Sequence, residues 1–128
     1  MPAPLNRILF VEDDPDIRFV AKMALEAVVG LTVIACASGQ EELTAAVQAK
    51  ADLLLLDVMM PGMDGPSTLK ALREMPATAN TPAIFMTAKA QAAEVATYKA
   101  LGALDVIAKP FDPMDLSAQI LRIWTSRA

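Results

Sequence analysis

Short apolar runs alternate with segments of helical periodicity five times along the chain. Ile8 to Val11 is continuously apolar, as expected of a parallel strand covered on both faces. Ile17, Val20, Ala21, Ala24, Leu25 and Val28 then follow the i, i+3, i+4, i+7 spacing of a helix buried on one side. Pro15 suits the first turn of that helix with Asp14 as its N-cap, and Gly30 is expected to end it. Leu31 to Ala35, rich in β-branched residues, is predicted as the second strand. Ser38 followed by Glu41 is a capping-box signature opening a second helix, with Leu43, Ala46 and Val47 directed inward.

Asp52 to Leu56 carries four consecutive leucines and predicts a third strand at the centre of the sheet. Pro66 starts a third helix with Leu69 and Leu72 inward. Pro82 to Thr87 reads as the fourth strand, Gln91 to Leu101 as the fourth helix and Asp105 to Ala108 as the fifth strand. Asp112 is expected to cap a last helix lined on one side by Leu116, Ile120, Ile123 and Trp124. Five βα units of this size imply a doubly wound α/β fold, a parallel sheet with right-handed crossovers and helices on both faces. No linker, repeat or low-complexity tract divides the chain, so a single domain over residues 1–128 is expected.

Composition narrows the chemistry. Hydrophobic residues make up 55% and charged residues 20%, which opposes disorder. A net charge of −4, with neither a basic stripe nor interleaved aromatics, argues against nucleic-acid contact by this domain. No apolar run approaches the roughly 20 residues that span a bilayer. Met1 to Arg7 lacks the pattern of a secretory signal, so a cytoplasmic protein without membrane contact is expected. Cys36 is the only cysteine, so no intramolecular disulfide forms; it reads as a small apolar residue beside a strand. Histidine is absent. That excludes Ser-His-Asp and Cys-His catalysis, imidazole ligation and a phosphohistidine donor. The remaining chemistry belongs to carboxylates, hydroxyls and lysine.

In open α/β sheets, ligands collect beyond the carboxyl ends of the strands. There the chain carries Glu12, Asp13 and Asp14 after the first strand and Asp57 after the third. Thr87 and Ala88 end the fourth strand, and Lys109 and Pro110 end the fifth. Each alone has a plain structural use. Acidic residues after strands form turns and caps, Asp57 before Met60-Pro61-Gly62 suits a turn, Thr87 suits a strand and Lys109 suits a solvated end. Neighbouring first and third strands would instead bring Glu12, Asp13 and Asp57 to one mouth. Such crowding costs on the order of several kcal/mol unless a proton or cation neutralises it. Few, hard oxygen donors suit Mg²⁺. Lys109 supplies a point charge for a phosphate oxygen and Thr87 a hydroxyl donor. Together these are the components of phosphoryl transfer to an aspartate.

The segments ILFVEDDPDIR, LLLLDVMMPGMDG, IFMTA and AKPF, in that order, resemble the receiver domain of bacterial two-component response regulators, from Arg7 to about Arg122. The resemblance implies the flavodoxin-like strand order 2-1-3-4-5. It also implies Asp57 as phosphoacceptor, with Mg²⁺ bound by Asp13 directly, Glu12 through water, Asp57, and the backbone carbonyl of Met59. Thr87, Ala88 and Lys109 would surround the phosphoryl group, Thr87 as the switch hydroxyl and Lys109 as its partner, followed by a cis peptide to Pro110. Asp14 would cap the first helix rather than bind metal. Lys89 and Met59 match positions near the phosphate that vary in the family. The donor would be a sensor histidine kinase or a histidine phosphotransfer protein, and the domain a signalling switch rather than a turnover enzyme.

One departure stands out. Val106 occupies the place, three residues before the lysine, where the family often carries an aromatic switch residue, so signalling is expected to run through the loop from Ala88 to Ala92. Competing readings fit less well. A haloacid-dehalogenase-like phosphatase needs an aspartate two residues after the nucleophile, where Met59 stands. A pseudo-receiver loses the acidic pair, the aspartate or the lysine, all present here. In a flavodoxin-like FMN carrier, Glu12-Asp13-Asp14 would repel the phosphate.

Overall fold

Continuous apolar runs of four or five residues bury both faces only when helices cover the sheet on each side. A computed structural model, describing residues 4–127, shows how they are covered. The elements are β1 (Arg7–Val11), α1 (Pro15–Glu26), β2 (Thr32–Cys36), α2 (Gly39–Ala49), β3 (Leu53–Asp57), α3 (Gly65–Arg73), β4 (Ala83–Thr87), α4 (Ala92–Ala100), β5 (Asp105–Ala108) and α5 (Leu116–Ser126). All strand pairs are parallel and the sheet order is β2-β1-β3-β4-β5, as expected. Residues 1–3 and residue 128, included in the single domain read from the sequence, lie outside the described residues.

Alternate strand residues feed two cores. Ile8, Phe10, Leu53, Leu55, Ile84 and Met86 pack with Ala21 and Leu25 of α1 and Leu116, Ile120 and Trp124 of α5. Leu9, Val11, Leu54, Leu56, Ala83 and Phe85 pack on the other face with Ala46 of α2 and Leu69 and Leu72 of α3. Leu53 to Leu56 are fully buried, so each contributes roughly 1.5–3 kcal/mol of transfer free energy. No helix among the described residues is long and apolar enough to cross a membrane.

Strand ends shift by about one residue from the periodicity. Asp52, predicted as the first residue of the third strand, instead accepts hydrogen bonds from the Asn6 and Arg7 amides at 3.0 and 2.9 Å. The predicted caps Asp14 and Ser38 do accept from their helices, Asp14 from Asp16 and Ile17 and Ser38 from Glu41. Glu41 reaches the Ala37 amide rather than that of Ser38, so its half of the capping box lands one residue early.

Three expectations are corrected. Gly30 does not end α1, which stops at Glu26 with Ala27 as C-cap; Gly30, at φ +92°, closes the following turn in a conformation that favours glycine. Asp112 caps a turn, accepting from the Met114 amide at 2.9 Å, and α5 starts only at Leu116 behind Asp115. Val47 points outward, 64% exposed, because α2 buries the stripe Gly39, Glu42, Ala46 and Ala49. Five residues beyond Glu42, Val47 is turned about 140° from that stripe at 3.6 residues per turn.

Glu42 is thus a glutamate at a core position. It is fully buried, neither carboxyl oxygen has a hydrogen-bond partner, and burial holds its pKa well above the usual carboxylate range. An unpartnered buried carboxyl costs about 1–3 kcal/mol. Because the folded pKa is raised, this group's contribution to stability falls as pH rises above its unfolded value. Glu42→Leu is therefore expected to raise the melting temperature, by more at alkaline than at acidic pH. Thermal unfolding across pH checks this, and an equal or lower melting temperature throughout would refute it.

Candidate functional site

The parallel register sets β1 and β3 side by side, pairing Val11 with Leu56, so the next residue of each chain segment emerges at the same edge. Those residues are Glu12 and Asp57. Both are buried, 1% and 3% exposed, whereas Asp13 and Asp14 lie at the surface. Asp57 is the last residue of β3, level with Met86 of β4, and Thr87 follows at the end of β4, buried at 1% exposure. Behind Asp57 the chain turns into α3. Gly65 passes so close that a Cβ there would collide with the Asp57 carbonyl, while the Asp64 side chain caps the helix through the Ser67 amide at 2.8 Å. Sequence reasoning missed both, although an aspartate and glycine directly before Pro66 are a helix-start signal.

Lys109 reaches across this edge. Its backbone N–H donates to the Thr87 carbonyl at 2.9 Å, which ties the end of β5 to the end of β4. The Lys109–Pro110 peptide is cis, the isomer that the resemblance implies. Its ammonium donates to Glu12 Oε1 at 2.7 Å and to Asp57 Oδ1 at 3.2 Å. Carboxylate oxygens of Glu12, Asp13 and Asp57 lie within 4.8 Å of one another. Three carboxylates and one ammonium leave a formal charge of −2 at the mouth, the charge a divalent cation would balance. The donors are all hard oxygens, two of them at the buried base and Asp13 open to solvent, which fits Mg²⁺ with retained waters.

Burial, and then the neighbouring Glu12 charge, push the Asp57 carboxyl up to about 7, against the opposing pull of Lys109. Partial burial alone would lower the Lys109 pKa, but its hydrogen bonds to Glu12 and Asp57 and their charges hold the ammonium above the ordinary lysine range. The geometry therefore stores like-charge repulsion beneath a single cation.

The other candidates lie nearby in different settings. The Thr87 hydroxyl accepts from the Lys89 amide at 3.1 Å, so its hydrogen remains free to donate. Ala88 is exposed and, with Lys109, Pro110, Phe111, Ile17 and Val20, lines a cavity of about 400 Å³ beside the mouth. Met59 has a 70% exposed side chain outside the carboxylate group. Val106 is half-buried against the core that holds Phe85 and Tyr98. Cys36 is buried at the end of β2, and burial pushes its thiol up to about 11, so it is no nucleophile at neutral pH. Arg18, also missed from the sequence, donates to the Glu12 carbonyl at 2.8 Å.

The family model of the response regulator receiver domain matches residues 8–121. The transcriptional regulatory protein CpxR of Escherichia coli (strain K12) is 40% identical over 119 residues, 93% of this chain and 49% of that protein. The DNA-binding response regulator MtrA of Mycolicibacterium smegmatis is 35% identical over 115 residues, 90% of this chain and 49% of MtrA. The chain spans about half the length of the curated relatives it matches. Among solved structures, the Vibrio cholerae chemotaxis protein CheY4 superposes with a TM-score of 0.84 at 31% identity, over 94% of this chain and 99% of that one. A five-stranded parallel sheet in the order 2-1-3-4-5 with these strand-end residues thus carries the family's sequence pattern as well as its fold, and the chain belongs to the response regulator receiver domains.

Proposed function

We propose that Asp57 accepts a phosphoryl group from the phosphohistidine of a sensor histidine kinase or phosphotransfer protein, and that the domain acts in the cytoplasm as a switch rather than a turnover enzyme. The observation that carries this reading is a buried strand-end carboxylate held 3.2 Å from a lysine ammonium, with two further carboxylates alongside. In the reaction an Asp57 oxygen attacks phosphorus, the new O–P bond forms, and the P–N bond to the imidazole breaks with its electron pair leaving on nitrogen. Lys109 offsets charge on the phosphoryl oxygens, as a positioned point charge does best in a water-poor site. Thr87 offers its hydroxyl hydrogen to the same group once it is attached, with Ala88 beside it. Glu12, Asp13, Asp57 and the Met59 carbonyl would hold Mg²⁺, which when bound supplies positive charge to the carboxylates and the phosphoryl oxygens. Partners contact this domain as proteins: its charge of −4 gives nucleic acid no electrostatic footing, and no membrane contact is assigned.

The donor must cover the mouth, and the surface next to it is apolar. The cavity walled by Ile17, Val20, Phe111 and Pro113 opens beside Lys109 and continues past the exposed Met23 and Met114. This face is proposed as the seat of the donor's histidine-bearing segment, since it is continuous with the site the phosphorus must reach.

Three outcomes are expected. Incubation with acetyl phosphate and Mg²⁺ should add one phosphoryl group by intact mass, and Asp57→Asn should add none; undiminished labelling of the variant would sink the assignment. Val20→Asp should slow transfer from a phosphorylated kinase by about tenfold or more, the effect of losing a central apolar contact, while labelling by acetyl phosphate persists. Equal slowing by both donors would remove the docking face.

The third follows from the raised Asp57 pKa. Ionisation of the folded state is disfavoured, so this group's contribution to metal-free stability falls as pH rises from the ordinary value of 3.8 to about 7 and stays low above that. At a fixed Mg²⁺ concentration, roughly 100-fold over the dissociation constant at pH 8, the ion should add about 2.7 kcal/mol there and less near pH 5. Asp57→Asn should raise the metal-free melting temperature most at the higher pH. A Mg²⁺ effect independent of pH, or unchanged in Asp13→Ala, would contradict the cation site.

A further inference from the structure

The acidic pair depends on a short loop, and that loop is fastened from two sides. On the sheet side, the Glu12 N–H donates to the Cys36 carbonyl of β2 at 3.1 Å. On the helix side, Arg18 Nη1 donates to the Glu12 carbonyl at 2.8 Å and reaches the Asp13 carbonyl at 3.5 Å. Between them, the Asp14 amide donates to Glu12 Oε2 at 3.2 Å, and the Asp14 side chain caps α1 through Asp16 and Ile17. Arg18 sits on that same helix, and its amide donates to the Asp14 carbonyl at 2.9 Å. The seven residues from Glu12 to Arg18 thus form a closed ring in which the guanidinium is the clasp.

The choice of acceptor is the informative part. Arg18 lies beside three consecutive acidic residues, yet among the described residues it forms no ion pair and donates to main-chain carbonyls instead. Both contacts are made by Nη1, whose two N–H groups are held in the fixed plane of the guanidinium. With the guanidinium facing the backbone, Arg18 does not compete with a cation for the carboxylate oxygens of Glu12 and Asp13. Loop entropy then falls on the fold rather than on cation binding, because ordering two side chains in advance lowers the cost of gathering them.

We propose that Arg18 is a positioning residue for the cation site, fixing the loop through the Glu12 and Asp13 carbonyls so that divalent-cation affinity depends on it while the phosphoacceptor chemistry does not. The inference rests on reading Glu12, Asp13 and Asp57 as that site.

The test compares wild type with Arg18→Met, which keeps the apolar stem, and Arg18→Gln, which keeps one donor. Mg²⁺ binding is followed by calorimetry, and amide hydrogen exchange of Glu12, Asp13 and Asp14 is followed in the metal-free protein. Arg18→Met should weaken Mg²⁺ binding by about 10-fold, as loss of an outer ligand-orienting group does, with faster exchange at those three amides. Arg18→Gln should recover part of both effects. Labelling by acetyl phosphate at saturating Mg²⁺ should return to the wild-type rate. Wild-type Mg²⁺ affinity and wild-type exchange in both variants would overturn the proposal, as would a labelling defect that saturating Mg²⁺ leaves in place. Absence of Mg²⁺ binding by the wild type would instead remove the underlying cation site, and the inference with it.

Discussion

Lys109 makes two hydrogen-bonded ion pairs with one ammonium, and both partners are carboxylates with almost no solvent of their own. Two buried like charges repel in a medium that screens them poorly, so while both are ionised Glu12 and Asp57 need a counter-charge between them. The fold exists around that requirement at one edge. β1 and β3 must be adjacent to bring the carboxylates together, and the Lys109 side chain reaches both from the end of β5, two strands from β3 and three from β1. The hydrogen bond from the Lys109 amide to Thr87 and the close passage of Gly65 behind Asp57 fix the ends of the two remaining arms. Displacing any of these strand ends would leave a buried charge unpaired, which costs far more than an exposed ion pair contributes.

The fold was legible because its strands are apolar on both faces. Leu53 to Leu56 announce a central parallel strand, and the five alternations leave few topologies once crossovers are right-handed. The site residues were visible for a related reason: Glu12, Asp57, Thr87 and Lys109 each interrupt an apolar run at its carboxyl end. What escaped the sequence depends on contacts rather than periodicity. Glu42 is polar, so helical patterning assigns it to water and turns Val47 inward, whereas the stripe facing β1 and α3 is set by small residues that let the helices approach. Arg18 escaped because a charge on a helix reads as a solvated face, and its acceptors are carbonyls that no side-chain pattern records.

Anchoring is uneven around the sheet, and that bears on how a change at Asp57 spreads. α1, α2, α3 and α5 each place buried side chains into a core, while α4 places none. α4 is fastened by the half-buried Tyr98, whose ring lies 5.2 Å from that of Phe85, and by its capping box at Gln91 and Glu94. Segments with few buried apolar contacts open at low free-energy cost. Thr87 stands at the start of the connection to this helix, and its hydroxyl already organises the Lys89 amide. A new acceptor for the Thr87 hydrogen would therefore act on the least anchored helix. Val106, β-branched and half-buried beside Tyr98, has no ring to move between two states. At that face Ala88 to Gln91, which join Thr87 to α4, bury no side chain. None of these four residues belongs to either apolar core, which sets that connection apart from the packed strands that keep Glu12, Asp57 and Lys109 in place.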